Sequence, residues 1–201
     1  MKSVRNSLLI AMMLVASQGF AAKKPTPMKW EVDVDHSSVN FSVRHLVVSK
    51  VRGKFAKFSG DIVADELGLL KSVKGDLFVQ SIDTGITKRD DHLRSPDFFD
   101  AAKFPKIHFE STAITVEGTQ AVVEGKLTIK DVTKQVRFAG EFFGKTTANF
   151  GTGDYDHLGY SFSGTINRKD FGVNFAALMN GRAVVGDEVD LNLELEATRK
   201  L

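Results

Sequence analysis

Apolar and polar residues alternate one for one along most of this chain, and that period restricts it to strands with one dry face and one wet face. Val39, Phe41 and Val43 fall on one side, Ser38, Asn40, Ser42 and Arg44 on the other. Near the C-terminus Val189, Leu191, Leu193, Leu195 and Ala197 alternate with Asp190, Asn192, Glu194 and Glu196. A period of two marks half-buried β-strands, since helical faces repeat every 3.6 residues. Similar runs occupy residues 55–64, 73–82, 107–116, 121–129, 136–143 and 160–166. Turn-forming stretches separate them at 65–68, at Glu117-Gly118 and across the glycine-rich 149–159. Residues 87–99 break the pattern: they are dense in charge, and one or two short helices are expected there.

Eight or nine strands joined by short turns predict one all-β domain, an antiparallel up-and-down barrel. About eight strands close around an interior wide enough for side chains or one small ligand. The aromatic content is lopsided, with 16 Phe against 2 Tyr and 1 Trp. Phe supplies apolar area without a polar handle. Phe41, Phe55, Phe58, Phe78, Phe109, Phe138, Phe142 and Phe162 all fall on strands. Periodicity accommodates two outcomes for them, a filled core or the lining of a cavity.

The N-terminus has a separate logic. Lys2 and Arg5 precede the apolar run Leu8–Ala16, and Ser17, Gly19, Ala21 and Ala22 follow. This order predicts a secretory signal peptide over residues 1–21, cut after Ala21 with Gly19 at the −3 position. The apolar run is about half the roughly twenty residues that span a bilayer, so no stable membrane anchor is expected. Residues 22–29 form a polar leader and 30–201 the barrel domain. The signal peptide takes two basic and no acidic residues with it, which makes the 27 Lys and Arg equal to the 25 Asp and Glu. A neutral exported chain predicts no nucleic-acid partner. The absence of cysteine excludes disulfides, thiolate metal sites, a thiol nucleophile and a lipidated anchor. The periplasm is the expected compartment.

Catalytic patterns are weak. Gly159-Tyr160-Ser161-Phe162-Ser163 lacks the closing glycine of a nucleophile elbow. Gly140-Glu141-Phe142-Phe143-Gly144-Lys145-Thr146 is one residue short of a phosphate loop and reads as a hairpin turn. His36, His45, His92, His108 and His157 show no metal-ligand spacing. No catalytic residue, cofactor or metal is predicted. The segment from Thr87 to Asp100 stands out for its charge and its paired Phe98 and Phe99. One reading is a solvated helix with an Asp90–Arg94 pair and a Phe plug at the barrel end. The other is a cap whose Arg89, His92 or Arg94 meets a polar ligand head.

Four blocks make the chain similar to the YceI-like family of polyisoprenoid-binding periplasmic proteins. They are Asp35–His45 with Lys50–Phe55, Arg89–Asp100 with Lys103-Phe104-Pro105, Gly125–Lys134, and Asn167–Gly172 with Val185–Val189. The resemblance covers about Met28 to Ala197. It implies a lipocalin-like barrel around a long apolar tunnel that holds an isoprenoid or fatty chain, with the head group at the mouth. At Asp131 the family more often has Gly, so the turn there is expected to be reshaped. Phe41, Val43, Leu77, Phe109, Phe138 and Phe162 become the expected lining. His45, Arg89, His92 and Arg94 become candidates for the head group. Against that role, Arg89, Asp90, Arg94 and Asp97 could form a mutual ion-pair cluster, and Arg168 with Asp170 a hairpin clamp.

The leading expectation is a non-enzymatic carrier or store for a polyisoprenoid or isoprenoid quinone. A second is an enzyme acting on a lipid head group with His45 or His92 as acid or base. A third is a filled barrel acting through its surface, as a homodimer or a stress-response partner.

Overall fold

The computed structural model describes residues 26–201, so the expected signal peptide and its cut after Ala21 lie outside the described residues. The long strands are β1 (Met28–His45), β2 (Ser49–Phe55), β3 (Phe58–Ala64), β4 (Leu70–Phe78), β6 (Lys106–Glu117), β7 (Gln120–Ile129), β8 (Val132–Asn149), β9 (Asp154–Asn167) and β12 (Val185–Lys200). Two-residue strands are β5 (Ile82–Asp83), β10 (Leu178–Met179) and β11 (Arg182–Ala183), and helix α1 spans Thr87–Arg94. Sheet order runs β12-β9-β8-β7-β6-β4-β3-β1, and β1 pairs again with β12 to close the ring. All these pairings are antiparallel. The expected up-and-down barrel of eight strands is therefore present, with β2 and β5 extending one rim.

Four of the predicted strand limits shift, each for a local reason. The run 55–64 is broken at Ala56 and Lys57, where β1 exchanges β2 for β3 as its neighbour. The run 73–82 is interrupted by a 3₁₀ turn at Val79–Ser81. The glycine-rich stretch 149–159 is a turn only at 150–153, and Asp154 already begins β9. Gly140–Thr146 is no hairpin turn but the middle of β8, bulged between Phe142 and Gly144. In the β7–β8 turn the left-handed φ of 57° falls on Lys130 and not on Asp131.

The bulge decides how one end of the barrel is built. An extra residue in one strand turns every later side chain to the opposite face. Before it, Phe138 and Phe142 share the face of Phe162 and Tyr160; after it, Lys145 pairs with Leu158 and Thr147 with Asp156. Asp156 is buried and takes Lys145 Nζ at 2.8 Å, Arg199 Nη2 at 3.0 Å and a hydrogen bond from Thr147 Oγ1 at 2.6 Å. Both cations lie over the ring of Trp30, which is fully buried. Above this polar base Ile62, Ala64, Leu158, Tyr160 and Ala197 fill the cross-section, and Tyr160 Oη donates to the Gly68 carbonyl at 2.7 Å. This end is closed.

Higher in the barrel, rings lie along the wall instead of across the lumen. A Cβ on Gly53 would fall 2.4 Å from the Phe41 ring, on Gly125 2.5 Å from Phe109, on Gly140 2.4 Å from Phe162 and on Gly164 2.8 Å from Phe138. Each Phe thus rests on a neighbouring strand's glycine, and the axis stays open. At Gly140 the Cβ would also stand 2.0 Å from the Ser161 carbonyl oxygen, which is backbone and cannot rotate away. Gly140→Ala should therefore cost about 3 kcal/mol by overpacking. Urea unfolding checks this, and an unchanged midpoint would contradict the close approach.

Candidate ligand-binding lumen

Three cavities follow one another along the barrel axis. The innermost, about 120 Å³, is lined by Phe58, Phe109, Phe138, Phe162, Leu193 and their neighbours. Ser59 and Lys74 also border it, but alternation turns their side chains outward beside the inward Gly60 and Gly75. The next cavity, also about 120 Å³, is lined by Phe41, Val43, Leu93, Phe98, Phe99 and Val173 among others. Leu77, Ile107, Leu127 and Leu191 border both and form a waist between them. The third, about 250 Å³, lies at the mouth beside His45, Arg89, His92 and Phe175. It shares Phe41, Val43, Leu93, Phe98 and Val185 with the second.

The six expected lining residues are all placed on this path: Phe109, Phe138 and Phe162 innermost, Leu77 at the waist, Phe41 and Val43 above it. Other strand phenylalanines are elsewhere. Phe142 packs on Tyr160 at the closed end, Phe55 is buried against Phe41 and Phe99, and Phe78 lies under the Lys106 ammonium. Sequence reasoning missed Phe175, which stacks on Phe98 with centroids 4.7 Å apart. It sits in the irregular stretch after β9, where no periodicity marks it. Leu191 at the waist was visible as the dry face of β12.

The four head-group candidates separate. His45, Arg89 and His92 border the mouth cavity. Arg89 is oriented by Thr84, giving Nε–H to its hydroxyl at 2.7 Å and Nη2–H to its carbonyl at 2.8 Å. Thr84 in turn donates its backbone N–H to buried Asp90 at 2.9 Å. His92 is held edge-on against Phe98 and Phe175, with Nε2 2.9 Å from Asp97 Oδ2. Arg94 is turned away from the lumen, donating to the Gln80 and Ile82 carbonyls at 3.0 Å each and pairing with Asp91 at 2.8 Å. Neither the Asp90–Arg94 pair nor the mutual cluster forms, because Asp90 is occupied by Thr84 and Asp97 by His92. The helix still places His92 and Arg94 in its last turn, where the macrodipole favours cations.

Arg168 acts as a clamp without Asp170. It is buried beside the second cavity, and its guanidinium reaches the Gly186 carbonyl at 2.8 Å, the Val173 carbonyl at 2.6 Å and Asp187 at 3.1 Å. Burial lowers its basicity, partly offset by Asp187.

Outside the lumen, Asp33, His36 and Glu196 place three possible metal-ligand atoms within 4.8 Å of one another on the outer wall. His36 Nδ1 lies 3.0 Å from Asp33, which raises its pKa. Nothing joins this cluster to the cavities. Among the described residues no helix is long and apolar enough to cross a membrane.

Comparison with known proteins agrees with this architecture. The family model described as "YceI-like domain" matches residues 30–197. The UPF0312 protein plu2095 of Photorhabdus laumondii is 34% identical over 191 residues, 94% of this chain and 93% of that protein. The crystal structure of Burkholderia cenocepacia BcnA superposes with a TM-score of 0.65 at 27% identity, covering 82% of this chain and 98% of that one. A domain from Saccharophagus degradans, described as polyisoprenoid binding and implicated in plant cell wall breakdown, shares the fold with a TM-score of 0.60 at 16% identity. It covers 84% of this chain and 97% of that one. With the matched segment running from Trp30 in the closed base to Ala197 beside it, the chain belongs to the YceI-like family.

Proposed function

We propose that this protein binds a long-chain amphiphile, a polyisoprenoid or isoprenoid quinone, and carries or stores it in the periplasm after removal of residues 1–21. The observation that supports this best is the run of apolar cavities from a polar mouth to a closed base. Each methylene buried there contributes about 0.8 kcal/mol, so an extended chain binds without any polar contact along its length. A buried head group does need donors, and Arg89, His45 and His92 stand where it would rest. The polyisoprenoid-binding domain of Saccharophagus degradans, with the same fold, supports the same class of guest. The inner path suits binding, since the side chains facing its two cavities are apolar apart from Arg168, whose guanidinium is committed to carbonyls; chemistry on a head group would have to use His45 or His92 at the mouth.

Organic extraction of the purified exported chain, followed by mass spectrometry, tests the proposal. One isoprenoid or similar long-chain amphiphile per barrel is expected, chemically unchanged after long incubation. A lipid-free extract together with no uptake of an added isoprenoid would overturn it. A guest converted over time would favour head-group chemistry instead.

A further inference from the structure

We infer that the mouth docks on an anionic lipid bilayer through the tip of the β1–β2 hairpin, Leu46-Val47-Val48. This rests on the lipid-binding reading above and adds where the guest is exchanged.

The tip is built against its own conformational preference. Leu46 and Val47 have φ of 49° and 65°, the left-handed region where hairpins favour Asn and Gly and where a β-branched residue is strained. Val47 is 59% exposed and Val48 76%. Neither the strain nor the exposure helps the free protein, so the tip is poorly chosen for water alone.

The neighbouring rim repeats the feature. Leu46 N–H donates to the Val184 carbonyl at 3.2 Å, and Val184 N–H to the Ala177 carbonyl at 2.9 Å. The β10–β11 hairpin that rises between Ala177 and Val184 exposes Leu178 by 74% and Met179 by 56%. His45 and Val184, which anchor the two hairpins, both line the mouth cavity. Two apolar tips therefore stand together at the opening.

Charge selects the occupant. Residues 44–54 contain Arg44, Lys50, Arg52 and Lys54 and no acid. Arg44, Arg52, Lys54 and, on the second hairpin, Arg182 make no ion pair among the described residues, whereas Lys50 pairs with Asp190. The acids nearby include Asp190, Asp187, already held by Arg168 and Lys169, the exposed Glu188 between them, Asp83 opposite Lys54 in the ladder, and Asp97, held by His92. Apolar tips beyond a cationic collar match a bilayer surface, with side chains entering the acyl boundary and cations meeting anionic phosphates. A guest leaving the mouth there passes from lumen to membrane without crossing water.

Co-sedimentation of the exported chain with vesicles tests this. It should bind vesicles of phosphatidylglycerol mixed with phosphatidylcholine, release with added salt, and ignore phosphatidylcholine alone. The double variant Leu46→Asn, Val47→Gly should reduce the bound fraction about tenfold, because it removes two of the tip's three apolar side chains. It should also melt at a higher temperature, because the turn is relieved. Its retention of an isoprenoid in vesicle-free buffer should match the unaltered chain, which separates failure of docking from failure of lipid binding. Docking is overturned if the unaltered chain does not sediment with anionic vesicles, if the variant sediments equally well, or if the tips instead pair two copies in solution and vesicles capture nothing.

Discussion

Leu77→Trp should reduce isoprenoid retention by about a hundredfold while the barrel stays folded. Leu77 borders both inner cavities with Ile107, Leu127 and Leu191, so any guest reaching the innermost chamber passes it. An indole there closes the waist and leaves the guest only the upper part of the path. Excluding about four methylenes at about 0.8 kcal/mol each removes about 3 kcal/mol, which corresponds to that factor. The substitution fills an existing space, so its folding cost belongs at the low end of the overpacking range, about 1 kcal/mol. Native mass spectrometry of the co-purified complex and a titration with added isoprenoid measure retention, and a thermal melt monitors folding. Wild-type retention in a folded Leu77→Trp variant would place the guest outside the inner lumen.

Asp156→Asn should destabilise the protein by roughly 3–5 kcal/mol, the usual cost of removing one partner from a buried ionic group. For a chain of this size that lowers the melting temperature on the order of 10 °C. Burial alone would raise the Asp156 carboxyl, but Lys145, Thr147 and Arg199 outweigh it and hold its pKa at about 2. The unfolded chain keeps the ordinary value of 3.8, so unfolding at mildly acidic pH takes up protons. The carboxylate's contribution is then complete above the unfolded value and fades as pH falls through about 2. The gap between the melting curves of the two proteins should therefore narrow as pH falls from about 7 to about 2. A gap of constant size would show that the side chain's shape, and not its charge, closes the base.

Most of the wall was legible because alternation survives wherever a strand has one dry face. Residues 107–116 and 121–129 lie within one residue of β6 and β7, whereas Phe109, Phe138 and Phe162 became expected lining only through the family resemblance, since periodicity suits a filled core equally well. Parity fails at a bulge. Gly144-Lys145-Thr146 resembles a turn in one dimension, so β8 was cut short, and nothing local shows that Lys145 will meet Asp156 and Arg199 inside. The mouth was half legible. Arg89 and Arg94 are the same residue type five positions apart, and only the carbonyls of Gln80 and Ile82 turn the second from the opening. Phe175 is carried by an irregular segment and announces itself only by stacking on Phe98.

The slip at Phe143 has a consequence for the kind of vessel this barrel makes. By turning Lys145 and Thr147 inward onto Asp156, a single extra residue stoppers the tube at one end. Under the proposed function, a tube with one opening would fill tail first and empty head first. Its depth from the stopper to Arg89 would then act as a ruler: tails shorter than that depth would leave the floor empty, and longer ones would hold their heads out beyond Arg89.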